Sequence, residues 1–473
     1  MQLAPHTLFL HIPKTAGTTT RSILESRYTV DQIYRVEDIA SEIERRRRYG
    51  FPSRVRFASG HVPAFFEKFF SSPPNLVTVL RDPLERISST YRFWRSLDPN
   101  AIKDPKIRDL VSLAHKLSFE SFLLSNDPRL CGETENYQVR LLGQTVEEAD
   151  LDFAVLLKNA KAVIERCVWF GLAEKMPESL QWLSYAFGQP PEPASVRLNA
   201  TPVKSTAGKI PPAAAEAARE RNRLDYELYE YASRLQAERI QEFVSKGTSW
   251  KQVLEQNKPA HLVARPHIFS MRMGQIGSGW WSREFGSEDA EFVWRFALRG
   301  QNATLHFWWP IRGSSVLAIW LPFIQKDVAW ESIRFALNGV ELAAQYMHYP
   351  LGRLAVARVS AELVQQDQVS ELSLSLAAPA LSKADDAYGK FGHDTQTAFA
   401  VSELRWFEPP SDGQMLPEGL LRHLEEAWNA YCARQEKRFQ TCAVYAKSLE
   451  ANRQSMETEL DKFRKLSQRK AGR

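Results

Sequence analysis

The stretch Leu8-Phe9-Leu10-His11-Ile12-Pro13-Lys14-Thr15-Ala16-Gly17-Thr18-Thr19-Thr20 sets a short apolar run against a Pro-Lys-Thr-Ala-Gly turn. The run Leu8–Ile12 reads as a buried strand, and the three threonines open a helix. Backbone N–H groups at such a turn and helix start point at one spot, where they bind anions. Threonine hydroxyls add donors and Lys14 adds a point charge, so Lys14, Thr15, Ala16, Gly17, Thr18 and Thr19 form a candidate cradle for a polyanion. The order is not that of the nucleotide loop Gly-x-x-x-x-Gly-Lys-Ser/Thr, because here the lysine precedes the glycine.

Further along, Val77-Thr78-Val79-Leu80-Arg81-Asp82-Pro83-Leu84-Glu85-Arg86-Ile87-Ser88-Ser89-Thr90-Tyr91 repeats the pattern of strand followed by helix. Asp82 falls at N-cap, Pro83 at N1 and Glu85 at N3, close to a capping box. A well-capped helix would require nothing more. Arg81, however, stands at the C-terminal edge of its strand, where open α/β sheets bind ligands. A third segment, Ala58-Ser59-Gly60-His61-Val62-Pro63, puts a histidine directly after another short strand.

The Pro-Lys-Thr-Ala-Gly-Thr-Thr run closely resembles the 5′-phosphosulfate loop of the carbohydrate sulfotransferases. The relatives in question are the membrane-type family that includes heparan sulfate 2-O-sulfotransferase, and the present chain looks like a bacterial-type member. In that family the Arg-Asp-Pro…Ser run holds the 3′-phosphate of the donor. The resemblance therefore implies 3′-phosphoadenosine 5′-phosphosulfate as co-substrate, no metal, and a saccharide or glycoconjugate hydroxyl as acceptor. It assigns Arg81 and Ser89 to the 3′-phosphate, residues 15–19 to the 5′-phosphosulfate, and Lys14 to the leaving oxygen. Arginine can grip a phosphate through two parallel N–H bonds and serine can supply a third. The acceptor proton needs a base that titrates near neutrality. His61 resembles the Gly-His segment that supplies it in the 2-O-sulfotransferase branch, while His11, inside the first strand, better fits a structural role.

Segments 135–143, 170–180, 197–202 and 222–229 resemble later parts of the same family, so the likeness covers most of residues 8–245. Asn136, Gln138 and Arg140 within it either face the acceptor or belong to a structural hydrogen-bond network. Two rival readings stand: a kinase or NTPase built on the same strand–loop–helix, and a non-catalytic glycan-binding scaffold.

At 473 residues the chain should hold two or three domains. Residues 1–250 read as α/β, a parallel sheet with flanking helices in the P-loop-like manner of the sulfotransferases. Its strands are placed at 8–12, 55–59, 76–80 and 162–170, with later helices at 178–187 and across 212–246. Residues 262–408 read as an antiparallel β-sandwich, with strands at 292–298, 304–309, 315–323, 332–337, 371–376 and 397–407 and a hairpin turn at Asn338-Gly339. Trp280, Trp281, Trp308, Trp309, Trp320 and Trp330 either fill its core or stack on sugars. Residues 413–473 carry Leu421, Leu424, Trp428 and Tyr431, and further apolar residues, at steps of three and four. They read as a long amphipathic helix that either forms a homo-oligomeric coiled coil or packs back on the body.

The formal charge of +5 leans toward acidic ligands without the concentrated basic face of a nucleic-acid binder, and Arg45-Arg46-Arg47-Arg48 reads as a solvated helix end. Cys131, Cys167, Cys432 and Cys442 are too scattered for a zinc site or a disulfide framework. No apolar run reaches the roughly 18 residues of a membrane span. Nothing resembles a signal peptide, and the anion loop begins too early for an anchor and stem to precede it, so a cytoplasmic location is expected.

Overall fold

The computed structural model describes residues 6–147, 152–192, 211–257, 267–285, 293–298, 300–325, 328–348, 352–364, 368–376 and 397–409, and a few positions between 419 and 433. Five strands, β1 (Thr7–Leu10), β2 (Ile33–Val36), β3 (Phe57–Gly60), β4 (Asn75–Leu80) and β5 (Trp169–Leu172), form a sheet in the order β2-β3-β1-β4-β5. Every neighbouring pair in it is parallel. Parallel strands are covered on both faces, which is why β1, β3, β4 and β5 are buried at every position and read as continuous rather than alternating runs. The accompanying helices are α1 (Gly17–Glu25), α2 (Ile39–Tyr49), α3 (Pro83–Arg95), α4 (Pro105–Lys116), α5 (Phe119–Leu123), α6 (Pro128–Thr134), α7 (Tyr137–Gly143), α8 (Phe153–Arg166), α9 (Met176–Phe187), α10 (Pro212–Arg221), α11 (Arg223–Ser245) and α12 (Trp250–Asn257).

Two local expectations are corrected and one strand was missed. The strand placed at 162–170 is the end of α8 followed by β5, because Leu156, Ala160, Val163 and Ile164 are buried at helical spacing up to the break at Cys167. The edge strand β2 was not read; only Val36 in it is buried, so it carries almost no apolar signal. The helix expected across 212–246 breaks at Asn222, whose side chain accepts from Asn136 N at 3.0 Å and donates to Ala218 O at 3.0 Å. The capping of α3 is as the sequence suggests at its donor end: Asp82 accepts from Glu85 N at 3.0 Å.

Beyond α12 the chain is antiparallel. The strands are β6 (Ile268–Ser270), β7 (Trp280–Phe285), β8 (Val293–Leu298), β9 (Ala303–Trp308), β10 (Ser315–Leu321), β11 (Ile333–Leu337), β12 (Val340–Leu342), β13 (Ala344–His348), β14 (Arg353–Val359), β15 (Val369–Leu376), β16 (Thr397–Val401) and β17 (Glu403–Phe407). They make sheets in the orders β13-β14-β10-β17-β6, β12-β11-β15-β9 and β16-β8-β7, and one apolar core draws residues from all three. Asn338 (φ 49°) and Gly339 (φ 83°) both take the left-handed conformation that a two-residue turn between β11 and β12 demands. The strand expected at 397–407 is two, joining different sheets, and Ser402 between them donates to Val293 O at 2.8 Å. Trp280, Trp281, Trp308 and Trp309 are buried, which places these four on the core side of the earlier alternative. Cys131 and Cys167 are free thiols. Among the described residues no helix is long and apolar enough to cross a membrane. The helix expected over 413–473 and the segment 197–202 lie almost wholly outside the described residues.

Candidate functional site

Adjacent parallel strands end on one edge of a sheet, and here β3, β1 and β4 lie side by side with Leu10 in register with Gly60 and Thr78. The chain leaving β1 is the Pro13–Ala16 turn, the residue after β3 is His61, and the residue after β4 is Arg81. Three segments spread over the first 90 residues thus meet at one edge. Direct bonds tie them together. His11 N donates to Gly60 O at 3.0 Å, His61 Nδ1 to His11 O at 2.7 Å, and Arg81 Nη1 to Lys14 O at 3.0 Å.

Lys14 (φ 68°) and Ala16 (φ 66°) both adopt the left-handed conformation, which costs energy for a non-glycine residue. Turns of this kind aim successive N–H groups into an anion-binding hollow. The first amides of α1 extend it, since the opening N–H groups of a helix lack intrahelical partners. Thr15 Oγ1 donates to Ile12 O at 2.8 Å, so its hydroxyl hydrogen braces the turn. Gly17 is required by packing: a Cβ there would lie 2.0 Å from His11 ring atoms, and the His11 ring is itself stacked on Phe9 at 5.2 Å.

Cations gather around this hollow. Lys14 Nζ sits 4.0 Å from the centre of the Phe93 ring, and burial, Arg81 and Arg92 together lower its pKa. Arg81 is held at a distance by two carboxylates, Glu174 at 3.6 Å and Glu85 at 3.7 Å. Glu85, Ser89 and Phe93 are one helical turn apart along α3. Glu85 meets Arg81 and Phe93 meets Lys14, so half-buried Ser89 stands between the two contacts on the loop side of the helix. The charges acting on Lys14 are cationic, Arg81 and Arg92, so an anion placed beside it would relieve their repulsion.

His61 is exposed at the same edge, with its inner side packed on the His11 ring at 4.5 Å between centroids. A carbonyl oxygen can only accept, so the bond to His11 O fixes the hydrogen on Nδ1 and leaves the basic lone pair on Nε2. Desolvation lowers the His61 pKa and Arg21 lowers it further, against the opposing bond to His11. His11 is buried and driven down to about 3, chiefly by desolvation and then by His61. It is therefore a neutral structural ring beneath the site.

The family model described as the sulfotransferase family matches residues 4–232. Residues 4–232 belong to the sulfotransferase family. No curated protein matches the chain. One solved structure similar to it is a family GH115 4-O-methyl-alpha-glucuronidase with specificity for decorated arabinogalactans, at 12% identity with a TM-score of 0.17. That likeness covers 83% of this chain and 60% of the other, so the chain spans less than two thirds of its length, and it carries no argument.

Within the sulfotransferase segment, the alternative left open for Asn136 and Gln138 falls on the structural side. Asn136 (φ 45°) accepts from Leu224 N at 3.1 Å and Asp225 N at 3.2 Å and donates to Arg221 O at 2.9 Å. Asp225 returns the arrangement by accepting from Gln138 N at 3.1 Å and Val139 N at 2.8 Å, so the N-termini of α7 and α11 cap each other. Gln138 brackets the Arg81 backbone, accepting from its N–H at 3.0 Å and donating to its carbonyl at 2.8 Å. Arg140 is spent on the carbonyls of Glu135 and Gly132. Sequence reasoning did not pick out Glu174, which accepts from Asp82 N at 3.3 Å and from Tyr229 Oη at 2.8 Å. The available signal was its place just after β5, at the same sheet edge.

Proposed function

We propose that this sulfotransferase moves a sulfuryl group from 3′-phosphoadenosine 5′-phosphosulfate to a hydroxyl of a saccharide or glycoconjugate. The observation that supports this most is the meeting of the Lys14 turn, His61 and Arg81 at the ends of three neighbouring parallel strands. The hollow and its cations suit a ligand with two separate phosphate-type groups. The turn amides and Lys14 take the 5′-phosphosulfate, and Arg81 with Ser89 takes the 3′-phosphate. Residues 1–250 form the catalytic domain in this reading, and 262–408 a β-sandwich accessory domain.

In the reaction the acceptor oxygen attacks sulfur in line with the bridging oxygen. The new C–O–S linkage forms as the bond from sulfur to the 5′-phosphate oxygen breaks, and the acceptor proton passes to His61 Nε2. Charge gathers on the departing oxygen, where Lys14 can leave the Phe93 ring to meet it. The product is 3′-phosphoadenosine 5′-phosphate.

Calorimetric titration with that nucleotide, and in parallel with ADP and ATP, tests the donor site. Binding that requires the 3′-phosphate supports the proposal; preference for ATP returns the kinase reading, and no binding returns the scaffold. In a turnover assay with labelled donor, His61→Ala is expected to lose at least about 10²-fold in rate with donor affinity kept. Arg81→Ala is expected to weaken the donor roughly 10- to 100-fold, by loss of charge-assisted bonds. Full activity in both variants would reject these roles.

A further inference from the structure

Helix α1 carries the donor loop at its N-terminus, and its C-terminus ends beneath the antiparallel β region. The last carbonyls of a helix have no partner within it. Local donors take most of them, Tyr28 N meeting Glu25 O at 3.1 Å, and the β region adds to the same end: Arg283 on β7 donates to Glu25 O at 3.1 Å and to Ser26 O at 2.9 Å. The same guanidinium donates to Met273 O at 2.7 Å, so it ties the helix end to its own region. Gln275 N adds a bond to Ser26 O at 2.9 Å, and Val30 N donates to Arg272 O at 3.0 Å. Burial, and next Arg295, lower the Arg283 pKa to about 9, which leaves it a cation at neutral pH against the negative end of the helix dipole. From the other side, the Glu25 carboxylate takes two bonds from Arg35, at 2.8 and 2.6 Å.

Arg283 is in register with Arg295 across β7 and β8. Near Arg295 the same face meets the sulfotransferase segment again, where Glu192 accepts from Gly279 N at 3.2 Å. This second anchor is made through Gly279 rather than through α1, which separates docking in general from hold on the donor helix.

We propose that Arg283 is a positioning residue for the donor site, fixing α1 and through it the loop 13–19, so that the β region is a working part of the transferase rather than an attached module. The proposal rests on the donor reading above. A nine-residue helix is about 13.5 Å long and moves as a rod, so slack at Ser26 reaches Gly17. The sequence separation explains why this contact was illegible in the chain: the two partners are more than 250 residues apart.

The test uses the full chain as wild type, Arg283→Met, Arg283→Lys and Glu192→Gln. Two readouts are taken: affinity for 3′-phosphoadenosine 5′-phosphate and hydrogen exchange of amides 14–19 without nucleotide. The expected result for Arg283→Met is roughly tenfold weaker binding and faster loop exchange. Arg283→Lys, which keeps the charge but not the two-pronged grip, should fall between, and it carries the comparison if the methionine variant does not fold. Glu192→Gln should match wild type in both readouts. Unchanged loop exchange in the Arg283 variants overturns the proposal, as does an equal loss in Glu192→Gln. Failure of the wild type to bind the nucleotide would instead reject the donor reading, and loop exchange would still judge the role of Arg283.

Discussion

A histidine whose Nδ1 hydrogen is committed to a carbonyl has one basic nitrogen, and His61 is such a residue, exposed just after β3. Its pKa lies below the ordinary 6.5, so the base form is already dominant at neutral pH. Turnover should therefore be flat through neutrality and fall as pH drops through that lowered value, giving an acid limb of kcat/KM with its midpoint below 6.5. A midpoint at or above 6.5 would show that another group provides the base. At this scale the sequence was informative about identity and silent about partners. Lys14 and Arg81 each read as candidate anion-binding residues through their place after a strand. That Arg81 also buttons down the Lys14 carbonyl, and that Gln138 clamps the Arg81 backbone, depends on contacts across 57 and 67 residues of chain.

Among the elements, the β1–α1 junction is the most constrained. Its glycine is set by the ring of His11 rather than by φ, since Gly17 does not lie in the left-handed region. Gly17→Ala should therefore displace the start of α1 and abolish measurable donor binding, while the melting temperature falls only modestly because the buried sheet is untouched. Titration of the variant, alongside a thermal melt, would show this; retained donor affinity would mean that His11 yields instead. The β4–α3 junction was legible for a different reason. Asp82, Pro83 and Glu85 are local signals, and the cap forms as they dictate. The Glu85 carboxylate nevertheless turns to Arg81, and Glu174 takes the Asp82 amide that a closed capping box would have used. An ion pair and a distant strand end thus outweigh a local preference.

For the whole molecule, two buried neutral histidines couple folding to pH. His11 lies beneath the site and His306 within the β region, each held down to about 3, mainly by burial. Their ordinary pKa is 6.5, so the unfolded chain takes up protons that the folded one refuses. Stability should be complete above that value and decline as pH falls from 6.5 toward 3. Urea midpoints measured across this range should fall less steeply for His306→Gln than for wild type; equal slopes would remove His306 from the account. By itself the sequence determined what nearest neighbours and short periods control: the buried strands β1, β3 and β4, the capped α3, the Asn338-Gly339 turn, and the residue types in the turn after β1. Tertiary structure alone decided that three strand ends become neighbours, that Asn136 caps α11 through amides 88 and 89 residues away, and that an arginine of the β region binds the C-terminal end of α1. Hydrophobic period and capping act within a turn or two of chain. Strand order and the partners of buried polar groups are fixed only when distant segments must share one interior and satisfy one another's hydrogen bonds.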